Sequence, residues 1–185
     1  MGEFSRVYKA DLTDRQFMAF WRLVCDAGRD RAFSYCLPPM DGSGFVRWMR
    51  KEDIFPWIVL YQDVPVGMVL LTDKFGKSAQ VHFCTLPTGG RRTTDRKMGI
   101  SKAAGLFSLG SILWEENGSG GYVLDYLVGI TPKPNVAAVK YALALGGDFC
   151  GVVPGQCWFH DTNENSDAVI TSFTRKNVPA WTAKL

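Results

Sequence analysis

A short basic segment that contains one glycine has the residue types and spacing of an anion-binding site. It consists of Arg96, Lys97, Met98, Gly99, Ile100 and Ser101, followed by Lys102, and it stands where an apolar helical pattern begins. A helix N-terminus leaves backbone N–H groups unpaired and carries partial positive charge, so it attracts anions. Gly99 would let a phosphate approach the backbone closely, and the cations would add charge. The segment predicts a phosphate or pyrophosphate site, although a solvated basic loop has the same composition.

The chain as a whole is close to electrical balance, whereas this region is not. The sequence has 21 Lys and Arg against 18 Asp and Glu, a formal net charge of +3, which is small for a surface that binds a nucleic-acid backbone. Five cations nevertheless fall between Arg91 and Lys102. Such a cluster attracts a compact polyanion such as a nucleotide phosphate. We therefore expect a nucleotide-containing ligand, and the modest net charge argues against a nucleic-acid partner.

The cysteines and histidines do not form a metal-binding pattern. No two of the five cysteines make a Cys-x-x-Cys pair, and only two histidines could join them, so we expect no metal. The odd cysteine count and an N-terminus without signal-peptide features favour a reducing compartment. No apolar run approaches the roughly 20 residues that span a bilayer. These features predict a cytoplasmic protein with no membrane partner.

The hydrophobic periodicity predicts one α+β domain over residues 1–185. We expect a strand at 4–10, a helix at about 14–27 that begins with a capping box at Thr13, and a short helix near 45–50. Three antiparallel strands are predicted at 55–62, 66–73 and 78–86, and Pro87 ends the last of them.

The second half of the chain predicts two helices, a buried strand and a hairpin. One helix begins near Gly99, and an alanine-rich helix begins after Asn135, its N-cap candidate. Between them, residues 121–130 form a nearly continuous apolar run, which is typical of a central strand. Residues 148–159 and 167–174 are expected to form the hairpin. A polar tail follows from about residue 176, with Trp181 as its anchor.

This order of elements, with R-x-x-G-x-S opening the helix after the fourth strand, resembles the GNAT N-acetyltransferases, whose pyrophosphate motif is Q/R-x-x-G-x-G/A. Residue matches cover two segments, 96–105 and 135–149. The resemblance implies a three-layer fold, with a mixed, mostly antiparallel sheet of about seven strands and about four helices. It also implies an enzyme, an acyl-CoA-dependent N-acyltransferase that moves an acetyl group from acetyl-CoA to a primary amine by direct attack.

The resemblance further implies which residues hold the coenzyme. In GNAT proteins the fourth and fifth strands splay apart, and the pantetheine arm lies in the gap. The backbone at Cys84, Thr85 and Leu86 would pair with that arm, Asn135 would face it, and residues 96–102 would hold the pyrophosphate.

The catalytic groups are less well defined by the sequence. His82 on the fourth strand has a suitable ordinary pKa near 6.5, but a histidine paired within the sheet or exposed on its surface is an equal alternative. The family's acid tyrosine would fall at Ala142, whereas Tyr141 comes one residue early and is therefore turned by about 100° around the helix. Either the helix register shifts or this acid is absent.

Several alternatives stay open at the level of sequence. Four aromatic residues could line the acceptor pocket or pack in the core: Phe33, Tyr35, Phe45 and Trp48. The chain could be a GNAT-fold coenzyme-binding module that has lost catalysis, or a modifier of nucleic-acid bases. A monomer and a homodimer are equally compatible with the sequence, and the acceptor amine is unknown.

Overall fold

The computed structural model describes residues 3–33, 35–88, 92–93 and 98–185. In this part of the chain, seven strands form one mixed sheet, as predicted, and their order in the sheet is β1-β2-β3-β4-β5-β7-β6. All neighbouring pairs are antiparallel except β4 and β5, which are parallel. The strands are β1 (Phe4–Tyr8), β2 (Phe55–Tyr61), β3 (Val64–Phe75), β4 (Ser78–Thr85), β5 (Tyr126–Pro132), β6 (Asp148–Phe159) and β7 (Glu164–Thr174).

Helices cover both faces of the sheet and form the expected three layers. The described helices are α1 (Asp14–Asp26), α2 (Asp30–Phe33), α3 (Gly42–Met49), α4 (Ile100–Leu113) and α5 (Val136–Ala144). One hydrophobic cluster joins α1 and α3 to one face of the sheet, and a second joins α4 and α5 to the other. None of the helices in the described residues has the length and apolar character that a membrane span requires.

Side-chain caps determine where the first long helices begin. The hydroxyl of Thr13 accepts from the backbone N–H of Gln16 at 3.3 Å, and the Gln16 side chain accepts from the Thr13 N–H at 2.8 Å. This reciprocal capping box confirms the predicted start of α1. Asp41 caps α3 by accepting from the N–H of Gly44 at 2.7 Å. The helix therefore begins at Gly42, earlier than its apolar pattern indicates.

Helix α4 is buried on nearly every side, because it lies between the sheet, α5 and the C-terminal segment. Two glycines make this close packing possible. A methyl group on Gly105 would collide with the Tyr141 hydroxyl, and one on Gly110 would collide with Thr182 and the backbone of Ala183. A helix enclosed in this way has no need of a polar face, which explains its mixed periodicity.

Strand β5 begins five residues later than the predicted strand at 121–130. The side-chain oxygen of Asn117 accepts from the N–H groups of Ser119 and Gly121, at 3.0 and 3.1 Å, so this stretch forms a turn. Leu124 is nevertheless buried, because it packs near the end of α4. Arg175 holds this connection by donating to the carbonyl of Leu124 at 2.8 Å. The apolar run therefore includes residues such as Leu124 that are buried without pairing in the sheet, which is why the strand was predicted to begin too early.

The C-terminal segment packs against α4, and its most deeply buried residues are not the predicted anchor. Val178 and Thr182 are fully buried, whereas Trp181 is 37% exposed. The indole N–H of Trp114, at the end of α4, donates to the carbonyl of Val178 at 2.9 Å. A short 3-10 helix, Ala180–Lys184, completes the segment. Although this tail is polar in composition, part of it is buried against α4.

Candidate functional site

Strands β4 and β5 separate partway along their length, as the resemblance implies. Their pairing covers three residue pairs and ends at Gln80 and Val128. Beyond that point β4 stays paired with β3 as far as Thr85, and β5 stays paired with β7 as far as Pro132. Because each strand follows its other neighbour, a wedge opens between them. We call it the β4–β5 cleft; it is lined by Val81–Thr85, Gly129–Pro132 and the facing side of α5.

Helix α5 forms the wall across this cleft. Asn135, Ala138 and Tyr141 all line it, and their spacing of three residues places them on one face of the helix. The Asn135 side-chain oxygen caps the helix by accepting from the N–H of Ala138 at 3.2 Å. This confirms the predicted N-cap. The amide N–H₂ of Asn135 is not needed for capping and can serve as a donor.

The N-terminus of α4 has the character of an anion site. Gly99 is the N-cap, so no side chain caps this end, and the first turn contains no acidic residue but includes Lys102. The first helical hydrogen bond runs from the Ala103 N–H to the Gly99 carbonyl at 3.0 Å. The backbone N–H groups of the first helical turn, before Ala103, have no partner within the helix and are consequently available to an anion.

Gly99 itself is not required by the protein's own packing. Its φ angle is −59°, and a methyl group at this position would meet no atom within 4 Å. The open space beside it is compatible with the close approach of a ligand. Met98 leads into the helix, and its carbonyl accepts from the N–H of Thr93 at 2.7 Å. Arg96 and Lys97 lie outside the described residues.

Tyr141 connects the cleft to the start of α4. Its hydroxyl donates to the backbone carbonyl of Ser101 at 2.6 Å, and its ring packs edge-on against Phe83 at 5.9 Å between centroids. Although it comes one residue before the family's tyrosine position, Tyr141 lines the cleft, and Ala142 is buried beside it. Gly105 provides the necessary space. Burial raises the pKa of the Tyr141 phenol, which therefore stays protonated at neutral pH.

His82 lies at the inner end of the cleft and is hydrogen bonded within the sheet. Its Nε2 atom is 2.9 Å from the Thr72 hydroxyl, which donates to the Asp73 carboxylate at 2.9 Å. Because that hydroxyl proton goes to Asp73, Nε2 must carry a proton and donate to Thr72, which leaves the Nδ1 lone pair available. Burial lowers the pKa of His82 to about 4, with a small opposing effect of Asp73. The imidazole is therefore neutral at neutral pH and weakly basic.

The three backbone positions predicted on β4 separate into two groups. Cys84 and Thr85 line the cleft. Leu86 instead donates its N–H to the carbonyl of Val66 at 3.0 Å and buries its side chain against the α1 and α3 layer. Burial raises the pKa of the Cys84 thiol to about 12, so this side chain is an inert thiol at neutral pH.

Arg29 lines the cleft beside Cys84 and Thr85, although the sequence did not single it out. Helix α1 ends at Asp26, and Gly28, two residues later, has a φ angle of 62°, a conformation that favours glycine. The following N–H, of Arg29, returns to the carbonyl of Val24 at 3.0 Å. The sequence signal for this arrangement was Gly28, because a glycine that follows the end of a helix changes the direction in which the next residues leave it.

A second pocket of about 230 Å³ adjoins the cleft on the side of α2 and the β6–β7 hairpin. It shares Tyr35, Pro132 and Asn135 with the cleft. The Tyr35 and Phe159 rings are 5.6 Å apart there. At its rim Arg31 donates to Asp161 from Nε at 2.6 Å. We call this the side pocket.

The predicted aromatic cluster does not stay together. Tyr35 lines both the cleft and the side pocket. Phe45 is fully buried and stacks on Trp21 at 4.6 Å, and Trp48 packs against Phe45. For these two residues ordinary core packing is the correct interpretation. The side chain of Phe33 lies outside what the structure describes.

Comparison with known proteins identifies the fold. No family model matches the sequence, and no curated protein matches it. Among solved structures, the chain is similar to a probable acetyltransferase of the GNAT family from Chromobacterium violaceum, with 16% identity over 96% of this chain and 85% of that chain and a TM-score of 0.69.

Two further solved structures are similar over nearly their whole length. Spermidine N-acetyltransferase from Vibrio cholerae, in complex with CoA and spermine, has 12% identity over 95% of this chain and 98% of that chain, with a TM-score of 0.68. The microcin C7 self-immunity acetyltransferase, in complex with acetyl-CoA and AMP, has 16% identity over 93% and 92%, with a TM-score of 0.66. The chain therefore has the GNAT fold.

Proposed function

We propose that this chain is an acyl-CoA-dependent N-acyltransferase, which moves an acetyl group from acetyl-CoA to a primary amine. The observation that carries the proposal is the opening of the β4–β5 cleft beside the uncapped N-terminus of α4. A narrow slot next to an anion site matches the two parts of a coenzyme A thioester, its pantetheine arm and its pyrophosphate. The fold supports the proposal, since two of the similar proteins bind CoA or acetyl-CoA in their solved structures.

Each part of the site would hold a different part of the co-substrate. The N–H groups at the start of α4 would bind the pyrophosphate, with Lys102 adding charge. The free edge of β4 at Cys84 and Thr85 would pair with the amides of the pantetheine arm, and Asn135 would donate from the opposite wall. The thioester supplies the activated acetyl group. The amine would approach through the side pocket, which opens into the cleft at Tyr35.

Proton handling would rest on the two polar side chains inside the cleft. Tyr141 stays protonated at neutral pH, so it can donate to the leaving sulfur once its hydroxyl turns away from the Ser101 carbonyl. His82 offers the Nδ1 lone pair to the N–H of the attacking amine. With a pKa of about 4, it orients a neutral amine better than it deprotonates an ammonium ion.

A coenzyme-binding module without catalysis is the second candidate. One observation favours it: both proton-handling groups are already engaged, Tyr141 by the Ser101 carbonyl and His82 by Thr72. Such a protein would bind acetyl-CoA as tightly as an enzyme does and would transfer nothing.

Calorimetric titration with acetyl-CoA tests the coenzyme site. Gly99→Glu places a carboxylate at the anion site and is expected to weaken binding at least about tenfold, whereas Gly99→Gln, of equal size, should weaken it less. Gly99→Ala should fold like the wild type, because its methyl group meets no neighbouring protein atom, so weaker binding by this variant would report a ligand that lies close to the backbone at this position. Absence of binding by the wild type would refute both candidates. Equal binding by the Glu and wild-type proteins would refute the assignment to α4.

Release of free CoA in the presence of a panel of primary amines separates the two candidates. For an enzyme, Tyr141→Phe is expected to lower kcat by about 10²-fold or more while acetyl-CoA binding is retained. Acetyl-CoA binding with no turnover of any amine would support the binding module instead.

A further inference from the structure

A further cavity, distinct from the cleft and the side pocket, lies at the opposite end of α4 from the β4–β5 cleft. Its volume is about 500 Å³, compared with about 220 Å³ for the larger part of the cleft. It is enclosed by β1, the start of β2, the end of β3 and the segment that follows α4. None of the described residues that line it also lines the cleft. Since α4 has 14 residues, its length separates the two sites by about 20 Å. We call it the β1–α4 cavity.

The walls of this cavity are mainly apolar and aromatic. Trp57 is 4% exposed and lies at the inner side, whereas Tyr8 and Phe55 are 40% and 44% exposed. Leu71 and Ile112 add aliphatic surface. The cavity exists because α4 ends at Leu113 and leaves this part of the sheet without a covering helix. A volume of this size is typical of sites for small molecules.

The charges around the cavity are mostly positive. Four cations line it, Arg6, Lys9, Arg50 and Lys74, against a single acid, Glu115. The acid is 3.3 Å from Arg6, with which it forms an ion pair. Arg50 pairs with an aspartate outside the cavity, Asp14, at 2.9 Å.

The two lysines are the charges available to a ligand. In the described part of the chain, neither Lys9 nor Lys74 forms an ion pair. Lys9 donates to backbone carbonyls only, including that of Ile54 at 3.0 Å. Burial, followed by the nearby Arg50 guanidinium, lowers the pKa of Lys9 against the opposing effects of Asp53 and Glu52, and a bound anion would favour the charged form of this lysine.

Trp57 contributes a second, independent observation. Its indole N–H is buried and has no hydrogen-bond partner among the described residues. Buried donors in folded proteins are nearly always paired, and each exception requires an explanation. Because this N–H is closed off from the open part of the cavity, an acceptor on a bound ligand would reach it only through a small movement of the cavity wall.

From these observations we propose that the β1–α4 cavity binds a small amphipathic anion, with an apolar body against the Trp57, Tyr8 and Phe55 rings and one acidic group facing Lys9 and Lys74. An acyl-chain carboxylate and an aromatic carboxylate share this chemistry. Both match an apolar pocket with a positive rim. The site is separate from the β4–β5 cleft and does not depend on the function proposed for that cleft.

Titration with the fluorescent dye anilinonaphthalene sulfonate, an apolar ring system with one anionic group, tests the proposal. We expect saturable binding that excess CoA does not displace. Decanoate and naphthoate should each compete with the dye. The stronger competitor shows whether the cavity prefers an acyl chain or an aromatic ring as the apolar part of its ligand. Decyltrimethylammonium, which has an equal chain and the opposite charge, should not compete.

Two variants at exposed positions locate the site without disturbing the core. Lys74→Glu reverses a charge at the rim, and Ala10→Phe adds a ring at the mouth; each is expected to weaken dye binding about fivefold or more. Lys140→Glu makes the same charge change at an exposed position of α5, which contacts the opposite end of α4, and should leave binding unchanged. Dye displacement by CoA, wild-type affinity in both cavity variants, or no dye binding at all would overturn the proposal.

The indole N–H of Trp57 provides a direct signal. Its resonance can be assigned in a ¹⁵N-labelled sample by its loss in Trp57→Phe, and decanoate is expected to shift it more than any other indole resonance. A shift that is equal for all six tryptophans, or confined to another one, would contradict binding in this cavity.

Discussion

The dependence of stability on pH gives the sharpest test of the environment of His82. In the folded protein the pKa of this imidazole is about 4, because burial opposes its charged form. In the unfolded chain it returns to about 6.5. Between these values the unfolded chain binds more protons than the folded protein. The free energy of unfolding therefore falls as the pH falls from 6.5 towards 4.

The size of the effect follows from the two pKa values. Their difference corresponds to about 3.4 kcal/mol once the pH lies below both, and about 2 kcal/mol of this is lost between pH 7 and pH 5. His82 keeps some solvent exposure, so these figures are upper limits. We expect a loss of about 1–2 kcal/mol between pH 7 and pH 5 that is due to His82.

Urea unfolding of the wild type and of His82→Gln at several pH values measures this loss. Glutamine keeps an N–H₂ donor for Thr72 and does not titrate, so this variant should show a smaller decrease in stability by the stated amount. His160→Gln is the matched control, since it removes the other histidine, which is exposed in the turn between β6 and β7. If wild type and His82→Gln lost the same free energy, burial would not hold this imidazole neutral. Its assignment as a neutral hydrogen-bond acceptor would then fail.

The contacts of α4 lead to two further predictions, both measured by urea unfolding. Tyr141→Phe should lower the free energy of unfolding by about 1 kcal/mol, and Gly105→Ala should lower it by about 1–3 kcal/mol. In the double variant the hydroxyl that collides with the new methyl group is gone, so the combined loss should be smaller than the sum of the two. Strictly additive losses would contradict the contact between these residues. Arg175→Met should lower the free energy of unfolding by about 2–3 kcal/mol, because it removes donors to two buried carbonyls and to Asp125. Arg22→Met, at an exposed helix position, should lower it by less than about 0.5 kcal/mol. Similar losses in these two arginine variants would refute a structural role for Arg175.

Local patterns predicted most of the elements because their signals are contained within a few residues. The capping box at Thr13 and the N-cap at Asn135 are examples, since each side chain bonds to a backbone group three residues away. The hairpins followed equally from alternation and turn residues. The start of β5 was wrong because an apolar residue such as Leu124 is buried by packing beneath a helix end as readily as by sheet pairing.

The geometry of the candidate site could be predicted from the sequence where backbone groups would form it. Gly99 at a helix start and a basic surrounding imply an anion site from covalent geometry and dipoles alone. Side chains that meet across the sheet were different. Gly28 marks the point where the chain leaves α1, but Arg29 and Tyr35 reach the cleft because of how α1 and α2 pack on the sheet, which no short motif encodes.

The sequence by itself determined the class of fold, the start of α4 at Gly99 and the capping role of Asn135, because these depend on neighbours along the chain. Only the tertiary structure decided that Tyr141 reaches the cleft, since that depends on the space left by Gly105 of another helix. It also decided that His82 is neutral and that Trp57 borders the β1–α4 cavity. Burial and charge are properties of surroundings, and those surroundings are assembled from segments far apart in the chain.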